Sequence, residues 1–182
     1  MEKKAHLEQI IKNDHPRSKI MYTQINDRQK QYFLDLSDIY NGKCAYCGTS
    51  IRFTGIFNYE VDHYICESSF SRDTSGRIDA GKVENLIFSC RLCNRKKDDL
   101  FLKSKYQQLL NPDNNSITGV FHRDENYDIK INNAHKTDDF VNLFYNKLMF
   151  GSYLRRLDFM LLEIEALIIE TQDSNIANGL KQ

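Results

Sequence analysis

The chain has no apolar run long enough to span a membrane, no internal repeat and no low-complexity tract. It also has no net charge, because 25 basic side chains balance 25 acidic ones over 182 residues. These absences argue against a chain that crosses a membrane on an apolar helix, and against one that grips nucleic acid by overall charge alone. Hydrophobic residues make up 41% of the chain, enough for a core in one domain or one domain with appendages. The chain opens Met-Glu-Lys-Lys with no apolar signal segment, which leads to the expectation of a reducing cytoplasm. Charge is uneven, however: residues 82–105 hold seven basic and three acidic side chains. That distribution suggests weak intrinsic affinity for a polyanion, supplemented by a partner.

Cysteine is present in a pattern. Four of the five cysteines form two Cys-x-x-Cys pairs, Cys44/Cys47 and Cys90/Cys93. A two-residue spacer lets both sulfurs of a pair reach one ion, and two pairs complete the four-thiolate tetrahedron that Zn²⁺ prefers. A closed shell of this kind has no open position, so the zinc it implies is structural. The alternative is a pair of disulfides, which a reducing compartment disfavours. The 42 residues between Cys47 and Cys90 exceed a simple zinc ribbon, so something is inserted.

The insert carries polar chemistry. Phe57 to His63 is aromatic and β-branched enough for a strand ending in Asp62-His63, and Asn85 to Ser89 reads as a second. Neighbours on a strand point to opposite faces, so one site holding both Asp62 and His63 requires a bend. The polar stretch Glu67 to Gly81 permits it as a loop. Asn94 to Leu110 has helical spacing, and Asn111-Pro112 stops it. The local order is strand, loop, strand, helix.

With those residues the stretch resembles the HNH endonuclease family. The wording that carries the resemblance is Gly42-Lys-Cys-Ala-Tyr-Cys-Gly48, Val61-Asp-His63, Asn85-Leu86 and Cys90-Arg-Leu-Cys-Asn-Arg-Lys-Lys97. The resemblance implies an α+β fold with a ββα-metal core on a four-cysteine zinc site. It makes His63 the general base and Asn85 the brace of the loop and histidine. It makes Asp62 and Asn94 the ligands of a catalytic Mg²⁺ or Mn²⁺. Family members usually carry proline three residues after the histidine; here that position is Cys66. The chemistry of the side chains is consistent with those roles. An imidazole with an ordinary pKa of about 6.5 accepts a proton near neutrality. The carboxylate of Asp62 and the amide oxygen of Asn94 are hard ligands suited to magnesium or manganese. Lys97, one helical turn beyond Asn94, and the neighbouring Arg95 are the expected substrate contacts. Cys66 reads as a small buried filler.

The flanks divide the chain into a helical lead-in at 1–41, the zinc-bearing core at 42–110 and a hairpin with helices at 111–182. The lead-in contains a helix over 24–40. Gly119-Val-Phe-His and Tyr127-Asp-Ile-Lys-Ile131 read as a hairpin, and Thr137-Asp-Asp139 caps a helix. The last helix, 153–171, repeats apolar residues at Leu154, Leu157, Leu161, Ile164 and Ile168. That stripe either packs inside the domain or binds a partner. The final ten residues are polar and expected to fray. The whole layout also resembles the HNH subunit of Septu-type and retron-linked anti-phage systems, which implies an ATPase partner and a role in defence. The functional expectation is a metal-dependent endonuclease acting on DNA, with RNA as another candidate substrate. The alternative is a zinc-stabilised nucleic-acid or protein-binding module without catalysis.

Overall fold

The computed structural model describes residues 2–114 and 116–170. Helix α1 (Glu2–Asp14) stops at the His15-Pro16 step, because proline disfavours helical geometry at the residue before it. A single helical turn at Tyr22–Ile25 then precedes α2 (Gln31–Ile39). The expected helix over 24–40 is thus two pieces. The break lies at Asp27, whose carboxylate accepts from the Gln29 amide at 3.0 Å and so competes with the helical pattern. Tyr32, Phe33 and Leu36 form the buried face of α2.

Strand β1 (Tyr59–His63) pairs antiparallel with β2 (Leu86–Cys90), Tyr59 opposite Cys90 and His63 opposite Leu86. All five residues of β2 are buried. Phe88 of β2 stacks on Tyr59 with 4.8 Å between ring centroids and meets Phe33 edge-on at 5.7 Å. The sheet is therefore seated against α2. Lys4 of α1 fastens the other side. Its buried ammonium donates to the Leu86 carbonyl and to Asp113, both at 2.6 Å, and Tyr40 donates to the second Asp113 oxygen.

Between the strands, the expected loop over 67–81 instead contains helix α3 (Thr74–Ala80). Asp73 caps it by accepting from the Gly76 amide at 2.8 Å. Gly76 is required there, since a Cβ would lie 2.0 Å from the Ser71 carbonyl oxygen.

The expected helix over 94–110 also differs. Helix α4 (Arg91–Lys97) begins earlier, capped by Cys90, whose sulfur accepts from the Cys93 amide at 3.4 Å. It ends at Asp98, where φ is 51°. A connector with Leu102 buried leads to α5 (Ser104–Leu109). The chain breaks here because burying Leu102 pulls the connector inward, away from a continuous helical path.

Strands β3 (Phe121–Arg123) and β4 (Ile129–Ile131) form the hairpin. Helix α6 (Asp139–Lys147) is capped by Asp138, which accepts from the Phe140 and Val141 amides. Helix α7 (Tyr153–Glu170) follows after Met149 turns with φ 53°. Leu154, Leu161 and Ile164 of its stripe remain exposed. Leu157 and Ile168 are half-buried, so the stripe is divided, and the reading in which all of it packs inside the domain is corrected. The expected fraying of 173–182 lies outside the described residues. Among the described residues, no helix is long and apolar enough to cross a membrane.

Candidate active site and metal centre

Two loops bring the cysteine pairs together: the turn holding Cys44 and Cys47, and the junction of β2 with α4 holding Cys90 and Cys93. The Ala45 amide donates to the Phe88 carbonyl at 2.9 Å, so the first turn is latched to β2 by its backbone. All four sulfurs are buried and lie within 4.8 Å of one another. The Cys47 and Cys90 sulfurs are 3.8 Å apart. That separation is nearly twice a disulfide bond. It equals the edge, about 3.8 Å, of a tetrahedron with Zn–S of about 2.3 Å. The four thiols are free, and the donor set fits zinc. Burial pushes the Cys44 and Cys93 thiols up, whereas hydrogen bonds from Cys44, Cys47 and Cys93 pull Cys90 down. Four thiolates at this spacing need a cation between them.

A second cation is supplied by the chain. Arg155 of α7 is 3% exposed and donates to Cys47 Sγ at 2.9 Å and Cys93 Sγ at 3.0 Å. Burial alone would lower its guanidinium, but the cysteine sulfurs around it raise it further still.

The cleft of about 340 Å³ on the other side of α4 is lined by Asp62, His63, Glu67, Asn94, Arg95 and Lys97 among others. Asp62 is 5% exposed. Its Oδ2 accepts from the Tyr46 phenol at 2.6 Å and its Oδ1 pairs with the Lys97 ammonium at 3.2 Å. Burial pushes the Asp62 carboxyl up to about 6, against the pull of Lys97 and Tyr46.

The expected phosphate contact from Lys97 is replaced by an internal one. Its side chain is only 1% exposed. The ammonium also donates to the His63 carbonyl at 2.9 Å and lies 3.4 Å from the Tyr64 carbonyl. These three oxygens saturate the donors of an ammonium. The helical reach that suggested a phosphate contact instead carries Lys97 under the end of β1.

His63 lies at the end of β1, and the chain turns immediately after it at Tyr64-Ile65. Its ring packs on Tyr22 with 4.3 Å between centroids. Burial lowers the imidazole from its ordinary value, with Glu67 opposing and Lys97 adding to the effect. Asn85 makes the turn rigid. Its Oδ1 accepts from the Ile65 amide at 2.8 Å, and its Nδ2 donates to the Ile65 and Ala80 carbonyls. The Asn94 Nδ2 donates to Glu60 at 2.9 Å, which fixes the amide and leaves Oδ1 as its acceptor end. Glu60 also pairs with Arg91 at 2.9 Å, so β1 grips the first turn of α4. Arg95 is exposed at the rim. Cys66 is buried, its sulfur 3.0 Å from the Ser69 hydroxyl.

Two strands and the following helix thus stand on a four-cysteine cluster, with Asp62, His63 and Asn94 around one cleft. Residues 44–100 match the family model described as HNH endonuclease. This segment is an HNH-family domain. No curated protein and no solved structure matches the chain.

Three residues that hold the cleft and cysteine groups escape sequence reasoning. Tyr46 had a signal, since it lies inside the first cysteine pair. Glu60 had a weaker one, being two residues before Asp62 and hence on the same strand face. Arg155 had none: 62 residues separate it from its nearest cysteine partner, Cys93.

Proposed function

We propose that the HNH domain hydrolyses phosphodiester bonds in DNA at the cleft between β1 and α4. The observation that supports this reading is the meeting of a buried carboxylate, an oriented amide and a half-buried imidazole at one opening. Asp62 and Asn94 offer two oxygen ligands, and phosphate and water can complete a shell of hard donors. A magnesium or manganese ion bound there supplies Lewis-acid stabilisation of the charge on the leaving oxygen.

The side chains do the rest. His63 is neutral near pH 7 and accepts the proton of the attacking water as its oxygen bonds to phosphorus. The bond to the leaving sugar oxygen breaks, and that oxygen takes a proton from solvent. Asn85 holds the turn after His63, which keeps the imidazole from swinging out of line. Lys97 and Tyr46 hold the Asp62 carboxylate, and Glu60 holds the Asn94 amide. Arg95 contacts the phosphate backbone at the rim. A reducing cytoplasm suits the thiolate centre that builds the scaffold.

A finer part of the proposal concerns partners. The exposed apolar residues of α7 offer a seat for another protein, and the ATPase of an anti-phage system is the partner that the overall layout suggests. Co-purification with such an ATPase, lost on Leu161→Glu, tests it.

The decisive experiment is cleavage of supercoiled plasmid by the purified chain with Mg²⁺ or Mn²⁺, beside His63→Ala at matched zinc content. His63→Ala is expected to lose about a hundred- to ten-thousand-fold in rate. Equal cleavage by both proteins would remove His63 from the mechanism. DNA binding without cleavage by either would favour the binding module. Cleavage of RNA alone would move the substrate class.

A further inference from the structure

We propose that Arg155 is a fifth member of the cysteine metal centre, and that through it the bound metal holds α7 against the ββα core. The proposal is independent of the catalytic reading, since it concerns the far side of α4.

Four thiolates around one divalent ion carry a net charge of minus two, and burying that charge without compensation is costly. Arg155 offsets half of it. Its two terminal nitrogens reach different sulfurs, Nη1 to Cys47 at 2.9 Å and Nη2 to Cys93 at 3.0 Å, so one cysteine of each pair is engaged. Nη1 is also 3.7 Å from Cys90. The planar fork of a guanidinium suits two acceptors at once, which an ammonium would not match. Hydrogen bonds to metal-bound ligands of this kind orient them and tune the metal.

The same helical turn adds a second tie. Thr49 Oγ1 sits 3.2 Å from Cys47 Sγ and donates to Asp158 at 2.5 Å. Arg123 donates to the Cys47 carbonyl at 3.0 Å and to the Arg155 carbonyl at 3.2 Å, joining the knuckle to the helix backbone. Among the described side chains of α7, Arg155 alone is buried. A buried apolar stripe does not anchor the start of this helix; a guanidinium on sulfur does. Nη2 also donates to the Leu148 carbonyl at 3.3 Å, and loss of the metal would release the sulfurs from their common spacing and leave that carbonyl as the remaining well-placed acceptor. The helix should then detach. Metal occupancy would be coupled to the placement of a helix whose cysteine partners lie 62 and 108 residues away in sequence.

The test uses the full chain with Arg155→Met and Arg155→Lys. Zinc release to a chromogenic chelator is expected to be about ten- to a hundred-fold faster in Arg155→Met, the usual cost of losing a partner of a metal ligand. Arg155→Lys should fall between it and the parent. Hydrogen exchange at 153–162, read with zinc still bound, should accelerate while β1 and β2 keep their protection. In the cobalt-loaded proteins the sulfur-to-metal charge-transfer band should move to lower energy, because unbonded thiolates are better electron donors. If Arg155→Met does not fold, the Arg155→Lys protein carries the comparison. Unchanged zinc release in the folded variant overturns the proposal. Faster release with unchanged exchange at 153–162 also overturns it, since the helix would then be held by other contacts.

Discussion

The Tyr46 phenol donates to the Asp62 carboxylate across 2.6 Å, with Tyr46 only 7% and Asp62 only 5% exposed. Tyr46 lies between the cysteines of the first pair, so the zinc knuckle and the cleft carboxylate form one rigid unit. Tyr46→Phe removes a single hydrogen bond to a charged, buried group. It should cost about 1.5–3 kcal/mol in urea denaturation and weaken Mn²⁺ binding in titration calorimetry, with zinc content unchanged. Full Mn²⁺ affinity in this variant would mean that Asp62 needs no positioning from the knuckle.

Lys97 is the cation that balances Asp62. Lys97→Met should destabilise the fold by about 3–5 kcal/mol, because it strands a buried carboxylate. Adding Asp62→Asn to it should recover much of that loss. The salt dependence of DNA binding is the discriminating readout. It should match the parent in Lys97→Met, whereas a phosphate-contacting lysine would reduce the slope by about one.

The pH profile has a defined sign. In the proposed mechanism metal binding needs Asp62 ionised, and its carboxyl is pushed up to about 6. The proposed proton abstraction needs His63 neutral, and burial holds the imidazole below its ordinary value. Both conditions are met as pH rises, so cleavage at fixed Mg²⁺ should climb through about pH 6 and level off. For stability the two groups oppose one another. The raised Asp62 favours the fold below its unfolded pKa, and this contribution is lost as pH rises through about 6. The depressed His63 favours the fold above about 6.5 and loses that contribution as pH falls through its folded value. A rate maximum at pH 5 followed by decline would contradict both assignments.

Removal of the zinc should be felt throughout the core. Cys90→Ser takes away one ligand, the cap of α4 and an end of β2 together. It should abolish stoichiometric zinc and unfold the 44–110 region by circular dichroism, because structural zinc affinity is folding free energy on the order of 10 kcal/mol. A zinc-free parent protein with native ellipticity would refute this.

The outer face of α7 should tolerate charge. Leu161 is 45% exposed, so Leu161→Glu should change unfolding free energy by no more than about 0.5 kcal/mol. Early melting would show that this face is covered in solution.

Much of the core was legible because its signals are local. A two-residue spacer announces a metal knuckle, alternating β-branched and aromatic residues announce β1, and an uninterrupted apolar run announces β2. The hairpin at 121–131 and the Asp138 cap are equally short-range. The divided helix at 91–109 and the helix at 74–80 were not legible. Their limits depend on a sulfur cap at Cys90, on burial of Leu102 and on a glycine lying under the Ser71 carbonyl. Helical spacing suggested that Lys97 contacts substrate, but the structure turns it under β1, beside a carboxylate that requires a cation.

What the sequence by itself determined is the four-cysteine set, and beside it the candidate groups of the cleft: one carboxylate, one imidazole and two amides. Only the tertiary structure decided which groups hold those donors in place. Tyr46, Glu60 and Arg155 reach them across 16, 34 and 108 residues of chain. Local periodicity extends over a few residues, whereas burying a charge selects any complementary group that the fold carries to it, however distant in sequence.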